Sequence, residues 1–108
     1  MQRNGTMLGL SGTYKNETID IPSDEEIYIG RDAASAHIIM DKETETISRR
    51  HCGIQYNAED QTYSVTDYSK NGTFREDGSR LPYSVQVTLP RGTVIILGTR
   101  QAASFALM

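Results

Sequence analysis

"CGIQYNAEDQTYSVTDY", residues 52–68, is the stretch that decides the fold class. In CGIQYN (52–57) and in TYSVTDY (62–68) apolar and polar residues alternate, which is the period of a β-strand with one buried face. The polar segment AEDQ (58–61) between them is typical of a turn. The stretch therefore predicts a half-buried β-hairpin.

The rest of the chain continues this pattern of short strands separated by turn residues. Further strands are predicted at TMLGLSG (6–12), TIDIP (18–22), IYIG (27–30), AHIIM (36–40), SVQVTL (84–89), TVIIL (93–97) and SFALM (104–108), and another begins at Thr73. No window of a dozen residues carries the apolar stripe of a helix. Short strands spaced by Gly, Asn, Asp and Pro predict an all-β sandwich or barrel.

Length and composition exclude several classes of protein. The 108 residues are enough for one domain, residues 1–108, with one core. A net charge of -3 argues against general nucleic-acid binding, which needs a basic face. Cys52 is the single cysteine, so no internal disulfide can form, and this favours a reducing compartment. Because no segment reads as a signal peptide or a membrane span, we expect a cytoplasmic protein without direct membrane insertion.

The polar residues that stand out fall where the predicted strands end. Arg31 follows one strand, Ser48 to His51 precede another, and Ser69 to Thr73 follow the hairpin. Loops at one end of a β-scaffold commonly carry function. The sequence therefore predicts that these segments converge on one rim, as a small polar binding site would require.

Together these segments resemble the signature of the forkhead-associated (FHA) domain. The resemblance rests on Gly30-Arg31, then Ser48-Arg49-x-His51, then Ser69-x-Asn71-Gly72-Thr73, in this order. Each short motif is weak alone, and the ordered set is specific. The resemblance implies a two-sheet β-sandwich of about ten or eleven short, mainly antiparallel strands. It also implies a phosphothreonine-binding module within a larger protein, one of the readers that use arginine.

The resemblance also implies the roles of the ligand residues. Arg31 and Ser48 would be the core phosphate ligands, supported by Arg49 and Lys70, and Asn71 would hold the backbone of the ligand. The chemistry is appropriate, because a phosphothreonine carries a charge of about -1.5 to -2 and three acceptor oxygens. An arginine can pair with two of those oxygens at once.

Four other residues are implied as structural supports of the site. His51 would brace the loop that carries Ser48, and Gly30 ends the strand before Arg31. Gly72 would allow a loop conformation that a residue with a Cβ resists, and Thr73 would tie the turn through its hydroxyl.

Each of these residues also has an interpretation that involves no ligand. A lone arginine is usually a solvated charge, and Asn-Gly is the commonest hairpin turn. Arg49 and Arg50 point to opposite faces if the chain is extended, so we expect Arg50 to be the solvated one. Their occurrence together at this spacing favours phosphothreonine recognition.

Other site chemistries have less support. Ser48, His51 and Asp67 are the residue types of a hydrolase triad, but the Gly-x-Ser-x-Gly elbow is missing, so we expect no enzyme activity. His37, His51 and Cys52 lack the paired spacing of metal ligands. No glycine-rich loop leads into a helix, and we expect neither a metal nor a cofactor.

The alternative of another class is an FHA-like structural domain that binds a partner independently of phosphate. The partner could also be the parent chain itself, since Thr44 and Thr46 lie among acidic residues. After Phe74 the sequence departs from the commonest pattern of the family, because Asp77-Gly78 replaces an Asn-Gly turn. This leaves the strand boundaries between residues 74 and 90 open.

Overall fold

The computed structural model describes residues 4–23 and 25–108, and this part of the chain contains ten strands and no helix. Residues 1–3 of the N-terminal stretch assessed for a signal peptide lie outside it. The strands are β1 (Gly5–Ser11), β2 (Thr18–Ile21), β3 (Ile27–Gly30), β4 (Ile38–Ile39), β5 (Cys52–Asn57), β6 (Thr62–Asp67), β7 (Thr73–Arg75), β8 (Val87–Pro90), β9 (Val94–Leu97) and β10 (Ser104–Leu107). The described residues include no helix that could cross a membrane.

The strands form two five-stranded sheets packed as a sandwich. The first sheet has the order β2-β1-β10-β9-β7, and the second has the order β4-β3-β5-β6-β8. All neighbouring strands are antiparallel except β3 and β4, which pair in parallel. The expected all-β, two-sheet sandwich with mainly antiparallel strands is confirmed.

The predicted hairpin forms the centre of the second sheet. Cys52 pairs with Asp67 at one end of it, and Asn57 pairs with Thr62 at the other. The turn between the strands closes at Gln61, which has a φ of 58°. The alternating residues Cys52, Ile54 and Tyr56 of β5 are buried. The sequence pattern therefore predicted correctly which face of β5 is buried.

The core lies between the sheets and is built from alternating apolar residues of both. Its largest fully buried side chains include Ile29, Ile54, Met7, Phe105 and Leu107. Each such side chain contributes about 1.5–3 kcal/mol by leaving water. Because the chain cannot form a disulfide, this packing is the main source of stability.

Tyr63 adds a polar link between the sheets. It is fully buried, and its hydroxyl accepts a hydrogen bond from the backbone N–H of Thr6 at 2.8 Å. The same hydroxyl lies 2.9 Å from the carbonyl oxygen of Thr6 and 2.8 Å from that of Met108, and it can donate to either. Buried hydroxyl groups need such partners, so this tyrosine fixes how the ends of β1 and β10 sit on β6.

Two predicted strands are shorter than expected. AHIIM was predicted over 36–40, but the strand covers only Ile38–Ile39, and β3 ends at Gly30, which leaves Met40 without a strand residue to pair with. SVQVTL was predicted over 84–89, but β8 begins at Val87. Ser84 has a φ of 60° and donates its N–H to the carbonyl oxygen of Asp67. This bend removes residues 84–86 from the strand.

The register of the second sheet places the loops of interest at one end. Ile29 near the end of β3 pairs with Cys52 at the start of β5, and Cys52 also pairs with Asp67 at the end of β6. The loops that leave the sheet at this same end of its strands are therefore segments 31–37, 41–51 and 68–72. This agrees with the convergence that the sequence predicts.

Candidate functional site

His51 joins the loops at this end of the sheet. It is fully buried, and its backbone N–H donates to the carbonyl oxygen of Ile29 at 2.7 Å. Its Nδ1 accepts from the backbone N–H of Ser48 at 3.0 Å, and its Nε2 lies 2.8 Å from the carbonyl oxygen of Gly72. Because Nδ1 accepts, the proton of the neutral ring is on Nε2, which donates to Gly72. One ring thus fixes the loop of Ser48 relative to the loop of Gly72.

This arrangement requires a neutral ring. Burial is the main reason that the pKa of His51 lies below its ordinary value of 6.5, and the hydrogen bond to Gly72 and the charge of Asp67 oppose that shift only in part. Protonation would place a second N–H against the N–H of Ser48. Acid should therefore loosen the loop of Ser48.

We expect stability to fall as the pH drops below about 6.5. In that range the unfolded chain binds a proton at His51 that the folded chain does not, so the free energy of unfolding decreases until the lower, folded pKa is reached. Chemical denaturation at pH 7.5 and pH 5.0 measures this loss. His51→Gln should be less stable at pH 7.5 but lose less on acidification. An equal loss in both proteins would contradict the role of His51.

Arg31 is anchored at one point of its guanidinium group. Its Nε donates to the carbonyl oxygen of Ile47 at 2.7 Å, and its backbone N–H donates to that of Ser48 at 3.2 Å. Within residues 4–23 and 25–108 its two terminal nitrogens have no hydrogen-bond partner. The side chain is half-buried, so it presents a fixed pair of charged donors to solvent.

Gly30 permits the close approach of this loop to the next. A Cβ at residue 30 would lie 1.9 Å from the carbonyl oxygen of Arg49, which is a backbone atom and cannot move aside easily. The neighbouring N–H of Asp32 donates to the same carbonyl oxygen at 3.3 Å. Glycine is therefore required at residue 30 to keep the loops of Arg31 and Ser48 in contact.

Ser48 and Asn71 face each other across the rim. The hydroxyl oxygen of Ser48 accepts from the backbone N–H of Lys70 at 3.1 Å, which leaves its own proton without an acceptor in the described chain. Asn71 is exposed, and its amide nitrogen donates to the carbonyl oxygen of Thr46 at 3.2 Å. Gly72 has a φ of 102°, which a residue with a Cβ adopts only with strain. Lys70 is exposed beside them.

Asp67 holds the loop that follows β6 through hydrogen bonds. It is fully buried, and its Oδ1 accepts from the backbone N–H and the hydroxyl of Ser69, at 3.0 and 2.5 Å, and from the Thr73 hydroxyl at 3.0 Å. Its Oδ2 lies 3.3 Å from Nη2 of Arg80. The hydroxyl of Ser69 in turn accepts from the N–H of Gly72 at 2.7 Å. This network holds the Asn71-Gly72 turn in place.

Sequence reasoning did not find this role of Asp67, nor Arg80 at all. An aspartate at the end of a strand is usually a turn residue, and Arg80 lies 13 residues further along the chain. In the triad considered from sequence, Asp67 would orient His51, but both ring nitrogens of His51 contact backbone groups of Ser48 and Gly72. The three residues are thus not arranged as a triad.

The two arginines after Ser48 are both exposed, but the side chain of Arg50 also contacts two aromatic rings. The guanidinium carbon of Arg50 lies 4.8 Å from the ring centre of Tyr28 and 5.4 Å from that of Tyr68. Arg49 lines a depression beside Tyr28 and Arg50. Arg50 is exposed, as expected, but it is stacked on two rings. The expectation that Arg49 and Arg50 point to opposite faces is wrong, because residues 49–50 form a turn and both side chains line the same depression. The sequence gave no signal for this contact, because Tyr28 of β3 and Tyr68, which follows β6, are 40 residues apart.

The residues considered as metal ligands do not come together. His37 accepts the backbone N–H of Tyr28 at its Nδ1 and stacks on the Tyr28 ring, while Cys52 is buried in the core. Burial is the main cause that raises the pKa of the Cys52 thiol, so it stays protonated. Among the described residues no three His, Cys, Asp or Glu side chains cluster as a metal site would require.

The site therefore consists of cationic and hydroxyl donors on a rigid rim. Arg31, Arg49, Arg50 and Lys70 gather there although the chain carries a net charge of -3. Donors that are held in position before a ligand arrives favour a planar or tetrahedral anion. The rim is therefore a candidate site for an anion.

Comparison with known proteins agrees with this geometry. The family model of the FHA domain matches residues 27–98. The FHA domain of the CT664 protein from Chlamydia trachomatis is 25% identical, with a TM-score of 0.80 over 98% of this chain and 97% of that one. No curated protein matches.

Two similar solved structures contain a phosphopeptide. The MEK1 FHA domain in complex with a HOP1 phosphothreonine peptide is 22% identical, with a TM-score of 0.74 over 96% of this chain and 94% of that one. The N-terminal FHA domain of Rad53p from S. cerevisiae, also in complex with a phosphothreonine peptide, is 18% identical. Its TM-score is 0.73 over 97% of this chain and 91% of that one. At these identities the likeness concerns the fold.

Proposed function

This chain belongs to the FHA domain family, and on that premise we propose that it is a phosphothreonine-dependent protein- and peptide-binding module that acts in signalling or assembly. The observation that carries the proposal is the position of Arg31. Its Nε is anchored on Ile47, its terminal nitrogens have no hydrogen-bond partner among the described residues, and the rim also holds the hydroxyl of Ser48. Two relatives of the same fold were solved with phosphothreonine peptides, which supports the same class of ligand.

In this proposal each ligand residue supplies a different contact. Arg31 pairs with two phosphate oxygens and Ser48 donates its hydroxyl proton to a third. Lys70 and Arg49 add positive charge that moves with their flexible side chains. Asn71 holds the peptide backbone next to the phosphothreonine. Gly30, His51, Gly72 and Thr73 keep these groups aimed at one point.

The fold itself makes a cytoplasmic role reasonable within this proposal. Phosphopeptide recognition needs no cofactor, because side chains of the rim make the whole interaction. The sole cysteine, Cys52, is buried with a raised thiol pKa and needs no oxidising environment. We therefore propose the cytoplasm as the place of action.

The test is a titration of three matched peptides by calorimetry. The phosphothreonine peptide should bind with micromolar affinity, about -8 kcal/mol, and its unphosphorylated twin should show no saturable binding in the same range. A phosphoserine twin lacks one methyl group, worth about 0.8 kcal/mol by transfer alone. A fitted contact for that methyl should raise the preference for phosphothreonine to at least tenfold.

The alternative function is an FHA-like structural domain that binds its partner independently of phosphate. In that case the phosphorylated peptide and its twin would bind equally well, or neither would bind. The phosphate-dependent function is favoured because the anchored Arg31, the hydroxyl of Ser48 and the exposed Asn71 occur together on one rim.

A further inference from the structure

We propose that Asn71-Gly72 is a site of spontaneous covalent modification, at which Asn71 converts to aspartate or isoaspartate, the fold restrains the reaction, and the conversion ends phosphopeptide binding. The chain contains two Asn-Gly pairs, Asn4-Gly5 and Asn71-Gly72, and the second includes the proposed peptide-binding residue. The effect on binding rests on the proposed function. The reaction and its restraint by the fold do not.

The reaction needs only the chain and water. The backbone nitrogen of Gly72 attacks Cγ of the Asn71 side chain, and the new C–N bond closes a succinimide ring. The bond from Cγ to Nδ2 breaks and ammonia leaves with the proton that the backbone nitrogen gives up. Water then opens the ring at either carbonyl, which yields aspartate or isoaspartate. A following glycine favours the attack, because it has no Cβ to hinder its nitrogen.

The fold holds the attacking nitrogen. The N–H of Gly72 donates to the hydroxyl oxygen of Ser69 at 2.7 Å, and both residues are buried. The nitrogen becomes a nucleophile only after this proton has left, so the hydrogen bond must open first. The carbonyl oxygen of Gly72 accepts from the N–H of Gly98 at 2.9 Å and lies 2.8 Å from Nε2 of His51. Gly72 is thus fixed at both of its backbone polar groups.

The side chain that is attacked is held more weakly. Asn71 is exposed, and among the described residues its amide makes one hydrogen bond, from Nδ2 to the carbonyl oxygen of Thr46 at 3.2 Å. Water can replace a single exposed bond of this kind at little cost. The bond between Gly72 and Ser69 is therefore the main restraint on the reaction.

The products differ from asparagine in charge and in backbone length. Both place a carboxylate across the rim from Ser48, and a negative charge there repels the phosphate of the proposed ligand. Isoaspartate also adds one carbon to the main chain between Lys70 and Gly72. This shifts the N–H of Lys70, which now donates to the Ser48 hydroxyl oxygen at 3.1 Å. Conversion therefore opposes anion binding in two ways.

The experiment follows conversion in the purified protein at about 37 °C and mildly alkaline pH. Mass spectrometry of peptides cut at acidic pH, where the reaction is slow, measures the exchange of ammonia for water at each asparagine. We expect Asn71 to convert at least about tenfold more slowly in the folded protein than in the same chain in denaturant. Asn4 is exposed and serves as the internal reference, because variants of the rim should not change its conversion.

Two variants separate the restraint by Ser69 from general stability. Ser69→Ala removes the acceptor of the Gly72 N–H and should raise the rate at Asn71 about fivefold, which corresponds to about 1 kcal/mol. Thr73→Val is the matched control, because its hydroxyl also donates to the buried Asp67, at 3.0 Å, while the bond between Ser69 and Gly72 stays intact. It should leave the rate at Asn71 nearly unchanged.

Both variants are compared at a temperature where circular dichroism shows each of them fully folded. Hydrogen exchange of the Gly72 N–H, followed by NMR, measures the opening step directly and applies to the unchanged protein as well. This N–H should be protected in the unchanged protein and in Thr73→Val, and it should lose protection in Ser69→Ala.

A titration then links conversion to binding. Anion exchange separates the converted protein, which carries one more negative charge, and calorimetry gives its Kd for a phosphothreonine peptide. We expect a loss of at least about tenfold, and Asn71→Asp should reproduce the loss for the aspartate product. The bound peptide should in turn slow conversion, because it contacts Asn71 in the proposed function.

The outcomes separate this inference from the proposed function. If Asn71 converts as fast in the folded protein as in denaturant, or if Ser69→Ala and Thr73→Val convert alike, the restraint by the fold is overturned. Unchanged affinity of the converted protein overturns the effect on binding, while the proposed function stands. If the unconverted protein binds no phosphothreonine peptide, the proposed function fails, and the rates still decide whether Ser69 restrains the reaction.

Discussion

Replacing Arg31 with alanine is expected to weaken binding of a phosphothreonine peptide by roughly 2–4 kcal/mol, about 30- to 800-fold in Kd. The two terminal nitrogens of Arg31 have no other partner among the described residues, and its Nε is fixed on the carbonyl oxygen of Ile47 at 2.7 Å. The lost contact is therefore a preorganised, charged pair of donors. Calorimetric titration of the purified variant measures the loss directly.

Two further variants separate binding from folding. Arg31→Ala also deletes the bond to Ile47, so its free energy of unfolding should fall by about 1 kcal/mol, well below its binding loss. Arg31→Lys keeps the charge without the planar fork and should bind with intermediate affinity. Arg91→Ala, which removes an exposed arginine at the far end, should bind as the unchanged protein does. Full affinity in Arg31→Ala would place the phosphate at another part of the rim.

Strand positions and the place of the rim were predictable from the sequence because both depend on local signals. Alternation over 52–57 and 62–68 predicted β5 and β6, and the turn residues between strands predicted the remaining elements. The limits of β4 and β8 were not predictable. They depend on where β3 ends and on the bend at Ser84, whose N–H bonds to a residue of another strand.

The site residues, too, include some that the sequence predicts and some that it does not. Gly30, Arg31, Ser48, His51 and the Asn71 turn could be named from ordered motifs, and the structure brings all of them to one edge. Their roles as ligands remain predictions until a peptide is titrated.

The residues that were missed depend on contacts between distant strands. Asp67 bonds to Arg80, 13 residues further along the chain, and Arg50 stacks on Tyr28 of β3 and on Tyr68, which follows β6. A hydrogen-bonded buried carboxylate and a stacked guanidinium leave no periodic pattern in the sequence, so only the folded chain shows them.

Replacing Asp67 with alanine is expected to lower the free energy of unfolding by about 3–5 kcal/mol, because it removes several buried hydrogen bonds to a charged group, each worth about 1.5–3 kcal/mol. Its carboxylate is fully buried and accepts four contacts, from the N–H and hydroxyl of Ser69, from Thr73 and from Arg80. Without it, three buried donor groups, the N–H and hydroxyl of Ser69 and the hydroxyl of Thr73, lose their acceptor. Chemical denaturation followed by circular dichroism measures the change, and the Tm should fall by more than about 10 °C.

A graded series tests whether the buried carboxylate, rather than the ion pair alone, is responsible. Asp67→Asn keeps one acceptor oxygen for Ser69 and Thr73 but turns an amide N–H toward Arg80, so we expect an intermediate loss of about 2 kcal/mol. Arg80→Gln should cost less than about 1 kcal/mol, because the side chain of Arg80 is 43% exposed. Asp60→Ala is the matched control, since Asp60 is exposed and accepts one hydroxyl, from Thr62.

The same variants should also affect binding of the phosphopeptide, because the hydrogen-bond network of Asp67 extends to the rim. The hydroxyl of Ser69 that bonds to Asp67 also accepts the N–H of Gly72, and the carbonyl oxygen of Gly72 accepts from His51, which holds the N–H of Ser48. Asp67→Asn should therefore weaken phosphopeptide binding at temperatures where the variant is fully folded, and Asp60→Ala should not. If Asp67→Ala and Asp60→Ala cost equally little stability, the buried carboxylate does not hold the Asn71-Gly72 turn, and the rigidity of the rim must come from His51 alone.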